Sequence, residues 1–169
     1  MGEYMRYKQV VVIGGRDASA EQIEIGYQIG SEIALRGFVT ISGGKSGVMQ
    51  AVSRGAADHG GIVIGILPGT EFDEANEYCS VVIPTGIGYA RNLFNVLSGD
   101  LIISIGGATG TLSELAYAWQ YRKKIVACSF TGGWSAKLAG SQIDDYRVDT
   151  IIDASSMEDV KKHLDMLLN

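Results

Sequence analysis

Several residue types are scarce in this chain, and each scarcity excludes an architecture. There are two cysteines in 169 residues, Cys79 and Cys128. They lie far apart and fit no metal or redox spacing, which argues against a disulfide scaffold and for a reducing compartment. The two histidines, His59 and His163, fall on expected helices without carboxylate or cysteine partners at ligand spacing. No metal site is therefore expected, and no Ser-His-Asp arrangement. No apolar run approaches the length of about 18 residues that a membrane-spanning helix requires. The stretch MGEYMRYKQ has no apolar signal core, and Arg6 stands where the myristoylation pattern places serine or threonine. These features lead to the expectation of a cytoplasmic protein with no membrane partner. Basic charge is also lacking: 14 Lys and Arg face 19 Asp and Glu, for a net charge of −5. Affinity for a phosphate backbone needs clustered cations, so nucleic acid is not an expected partner. The short run Arg122-Lys123-Lys124 sits at the end of an expected helix, where cations suit the helix dipole.

Glycine, in contrast, is abundant. There are 23 glycines, about twice the usual share of roughly 7%, and only two prolines and no low-complexity tract accompany them. The glycines therefore serve local backbone geometry. Many of them close apolar runs. QVVVIGG (9–15), FVTISGG (38–44), IVIGILPG (62–69), YCSVVIPTG (78–86), LIISIGG (101–107), KIVACSF (124–130) and DTIIDAS (149–155) read as strands. Helices are expected over 19–37, 46–61, 88–100, about 111–122 and the C-terminal 156–169. Ser19 with Gln22 forms a capping-box pattern, and Gly37 a stop. Gly26, Gly30 and Ala34 recur every four residues and would let the first helix sit close to a sheet. Half of 131–147 is expected to be helical. Apolar strands alternating with helices predict one domain over 1–169: an α/β fold with a doubly wound, mostly parallel sheet of about seven strands, Rossmann-like, with helices on both faces.

Such sheets bind ligands beyond the carboxyl ends of their strands. The candidate residues cluster there. Gly14, Gly15 and Arg16 follow the first strand; Gly43, Gly44, Lys45, Ser46 and Gly47 follow the second. Arg91 and Asn92 follow the fourth, and Gly107, Ala108, Thr109, Gly110 and Thr111 lead from the fifth to Glu114. Glycine turns at helix N-termini favour anions, which points to a phosphate-bearing small molecule. GGKSG is not a P-loop, because Val39 occupies the place of the required earlier glycine, and no turn matches the dinucleotide fingerprint. Glu114 has two readings. Thr111 to Glu114 is a capping-box pattern, and Glu114 is equally a candidate catalytic carboxylate. Arg91 is either a surface residue or a ligand contact; a cation near a helix N-terminus is disfavoured unless an anion joins it. Asp17 is a weaker candidate, since it can serve as a cap.

SGGKSGVMQAVSRGAADHGGIVIGILPG (42–69), GYARN (88–92) and GGATGTLSE (106–114), in that order, resemble the Lonely Guy and lysine-decarboxylase-like superfamily, in the branch that includes molybdenum-cofactor carrier proteins. The resemblance covers roughly residues 8–130. Lonely Guy enzymes are phosphoribohydrolases that release a base and ribose 5-phosphate from nucleoside 5′-monophosphates. Their Pro-Gly-Gly-x-Gly-Thr-x-x-Glu motif falls on Gly106–Glu114, with Ala108 replacing its second glycine. Of their Met-His-Glu-Arg-Lys motif, only the arginine remains, as Arg91. The resemblance implies Arg91 and Glu114 as the catalytic pair, with no cofactor needed for hydrolysis. It also implies a homodimer or homotetramer. An alternative is a non-catalytic carrier or sensor, with molybdenum cofactor or a nucleotide as its ligand.

Overall fold

In the computed structural model, residues 6–167 are described. Residues 1–5 of the N-terminal stretch and the last two of the expected C-terminal helix lie outside them. Seven strands form one sheet: β1 (Gln9–Gly14), β2 (Val39–Ser42), β3 (Val63–Leu67), β4 (Val81–Pro84), β5 (Leu101–Ile105), β6 (Lys124–Cys128) and β7 (Ile152–Ala154). Their order is β4-β3-β2-β1-β5-β6-β7, and every pairing is parallel. The chain winds outward from β1 to β4, then returns to lay β5 against the other side of β1. The strand order reverses between β1 and β5, which is where a crevice opens in such sheets.

Helices cover both faces, as a parallel sheet requires. On one face, α1 (Ala20–Leu35), α2 (Val48–Asp58) and α6 (Met157–Asp165) pack Ile29, Ile33, Val48, Val52, Val160 and Leu164 on Val10, Val12, Leu101, Ile103 and Val126. On the other, α3 (Arg91–Leu97), α4 (Thr109–Gln120) and α5 (Gly133–Leu138) bring Val96, Leu115, Trp119 and Leu138 onto Val11, Ile13, Ile66, Ile102 and Ile125. The capping box at Ser19 and Gln22 is formed in full. None of the described helices is long and apolar enough to cross a membrane.

Three local expectations are corrected. The small residues of α1 meet α2 instead of the sheet. A methyl on Gly30 would lie 2.1 Å from the Val52 carbonyl oxygen, and one on Gly55 1.9 Å from that of Tyr27. The two backbones touch; on α1, Ile29 is fully buried and Ile23 37% exposed. The helix expected from residue 88 begins at Arg91, because Gly88–Ala90 form a 3-10 turn with Gly88 at φ +61°. Within 131–147, only Gly133–Leu138 is α-helical. Proline ends β4 without loss because β4 is an edge strand.

Candidate functional site

A cleft of about 370 Å³ opens beyond the carboxyl ends of β1 and β5. Of the candidate residues, Gly14, Gly15, Arg16, Gly43, Arg91, Asn92, Ala108, Thr109, Gly110, Thr111 and Glu114 line it. Four turns distant in sequence thus converge on one hollow. Gly44, Lys45, Ser46, Gly47 and Gly107 do not line it. Lys45 and Ser46 face a shallower hollow next to Glu74 and Asn76, where Lys45 Nζ donates to Glu74 Oε2 at 2.9 Å. Gly47, at φ +69°, backs onto the Gly15 and Arg16 carbonyls and brings the turns after β1 and β2 together. Gly107, at φ +93°, lies under Thr111 and shapes the entry to α4.

The start of α4 decides the reading of Glu114. The helix begins at Thr109, with Ala108 as an N-cap that offers no side-chain bond. Glu114 therefore lies beyond the capping position, and the Thr111–Glu114 capping box is not formed. No described residue accepts from the amides of Thr109, Gly110 or Thr111. Three orphan donors and the positive end of the helix dipole are left at the cleft, an arrangement suited to an oxyanion.

Glu114 is buried on the cleft floor, 7% exposed. Its Oε1 accepts from Asn95 Nδ2 at 2.9 Å. Burial raises its pKa to about 7, against the opposing pull of the Asn95 hydrogen bond and the Arg91 charge. A carboxyl so placed is divided between acid and carboxylate near neutrality.

Arg91 is the first residue of α3 and is also buried. Its Nη1 donates to the Gly43 carbonyl at 2.6 Å and the Ile66 carbonyl at 2.5 Å, and its Nε to Asn92 Oδ1 at 3.1 Å. It is thus not a surface residue. One nitrogen secures the ends of β2 and β3, and no described residue accepts from Nη2. Burial lowers its pKa from the ordinary arginine value, Glu114 opposes the fall, and Arg16 adds to it. Asn92 Nδ2 donates to Ser113 Oγ at 3.0 Å, fastening α3 to α4.

Val12, Ile13 and Met49, which no site motif marked, also line the cleft, along with Asp17 and Tyr89. Asn95 was missed as well, although it lies one helical turn after Arg91 and so on the same face of α3.

The model of the SLOG cluster4 family matches residues 7–161. The chain belongs to the SLOG cluster4 family. A molybdenum cofactor binding protein from the phototrophic bacterium Rippkaea orientalis superposes on this SLOG cluster4 chain with a TM-score of 0.85. The two are 32% identical over 98% of this chain and 99% of the other. An uncharacterised Archaeoglobus fulgidus protein is 41% identical over 123 residues, 73% of this chain and 81% of its own. A Mycobacterium marinum cytokinin riboside 5′-monophosphate phosphoribohydrolase is 27% identical over 117 residues, 68% of this chain and 63% of that protein. The Lonely Guy-like resemblance is thereby established for this SLOG cluster4 protein.

Proposed function

We propose that the cleft binds a small molecule through a phosphate monoester, with a nucleoside 5′-monophosphate as first ligand and molybdenum cofactor as the alternative cargo. One observation carries the reading: the uncapped N-terminus of α4 and Arg91, whose Nη2 has no acceptor among the described residues, border one hollow, with Arg16 exposed at its rim. These groups match a phosphate, and the cleft volume lies within the range of small-molecule sites. Tyr89, 88% exposed on the rim, offers a face for a purine or pterin ring.

N-glycosidic hydrolysis is a second reading, favoured by Glu114. A carboxyl with a pKa near 7 can give a proton to a departing base, or as carboxylate steady a developing oxocarbenium ion. It would need no cofactor. Glycoside hydrolysis normally uses two carboxyl groups, and Glu114 is the buried one here, with Asp17 exposed.

Calorimetry with AMP, ribose 5-phosphate and molybdopterin, alongside an assay for ribose 5-phosphate release from AMP, tests both readings. Release that Glu114→Gln abolishes while AMP still binds supports hydrolysis. Binding without release supports a carrier. If none of the three ligands binds, the cleft reading fails.

The same reading includes a homodimer. Val81 and Ile83 of β4 are each 44% exposed and, through their register with Ile64 and Ile66, lie on the α3 side of the sheet. On α3, Phe94 and Leu97 are also half-exposed. A parallel sheet face left partly bare favours coverage by a second copy. Light scattering should give twice the chain mass for the wild type and the single-chain mass for Leu97→Glu.

A further inference from the structure

Asn95 has an arrangement that packing does not explain. It is 1% exposed and, unlike Glu114, does not line the cleft. Its Nδ2 donates to Glu114 Oε1, while its Oδ1 is buried and has no hydrogen-bond partner among the described residues. Leaving a buried acceptor unsatisfied is costly, and an aliphatic side chain would fill the place without that cost. What an aliphatic residue could not supply is the donor to Glu114.

We propose that Asn95 is a positioning residue: its amide holds Glu114 Oε1, favours the ionised carboxylate, and leaves Oε2 to face the ligand. No described residue donates to Oε2. The titratable and charged groups around the cleft are few. Arg91 faces Glu114 from α3, Arg16 and Asp17 stand on the β1–α1 turn, and Tyr89 lies on the turn before α3. Arg91 favours the carboxylate through its charge, yet its Nη1 and Nε are already committed to other acceptors. Among the described residues, Asn95 is the one that donates a hydrogen bond to the carboxyl. The proposal depends on the ligand reading above for its purpose but not for its geometry.

The test is an NMR titration of the full chain without ligand, following side-chain carboxyl carbons. The Glu114 signal is identified by its loss in Glu114→Gln. The wild-type signal should titrate with a midpoint of about 7. Asn95→Leu should raise that midpoint by about one unit, the scale of a lost hydrogen bond to a charged group. In the wild type, the Asn95 side-chain amide protons should shift with the same midpoint, and in Glu114→Gln they should stay still. A folded Asn95→Leu protein with an unmoved midpoint overturns the proposal. So does an Asn95 amide signal that is flat across the titration, a measurement that needs no Asn95 variant to fold. Calorimetry with AMP keeps the two questions apart: coupling without AMP binding refutes the nucleotide reading and upholds the role of Asn95.

Discussion

At the scale of single residues, Glu114 opposes stability. Its pKa is raised to about 7 in the folded chain, so the folded state holds that proton more tightly than the unfolded state. The contribution is present below the ordinary glutamate range and is lost as pH rises from there to about 7. Above pH 7 the ionised, buried carboxylate costs roughly 3 kcal/mol. Glu114→Gln should therefore unfold at higher urea than the wild type at pH 8, with the gain fading towards pH 4.5. A capping role predicts the opposite, a loss of stability. Arg91 behaves in reverse. Arg91→Met leaves the Gly43 and Ile66 carbonyls without their donor, and a loss of about 2–4 kcal/mol is expected in the same measurement. The Tyr89 side chain is exposed and makes no hydrogen bond among the described residues. Tyr89→Ala should weaken AMP by about tenfold, leave ribose 5-phosphate binding unchanged and leave the melting temperature within error.

Among elements, the contact of α1 with α2 is the tightest constraint. Gly30→Ala or Gly55→Ala would drive a methyl into a carbonyl oxygen of the facing helix. Each should cost about 1–3 kcal/mol or more in thermal unfolding, although alanine is the better helix former. The spacing of Gly26, Gly30 and Ala34 was visible in the sequence, but their partner on α2 was not, because periodicity marks a face without naming what lies against it. The same limit applies at α4. Thr111 to Glu114 has capping chemistry, and only the position of the first helical turn shows that Thr109 already lies inside it. Where a strand ended in glycines and a helix followed, element type and order were legible. Motifs revealed Arg91 and Glu114. Asn95 carries no motif, and its part depends on α3 and α4 packing side by side, which one-dimensional spacing does not encode.

For the molecule as a whole, alternation of strand and helix was enough to predict a doubly wound sheet and the edge at which the cleft opens. The reversal between β1 and β5 then selects four turns out of seven strands. Arg91 links this place to the rest of the sheet. Arg91 Nη1 ties the turn after β2 to the end of β3, and its Nη2 has no acceptor among the described residues, so an anion held there, as proposed, would couple to this flank of the sheet. Loading should then be felt at a distance. Backbone deuterium uptake at the tips of β2 and β3 should slow when AMP is added, with β6 and β7 unchanged. Under the proposed binding reading, the firmness of one flank of the sheet would then report whether the cleft is filled.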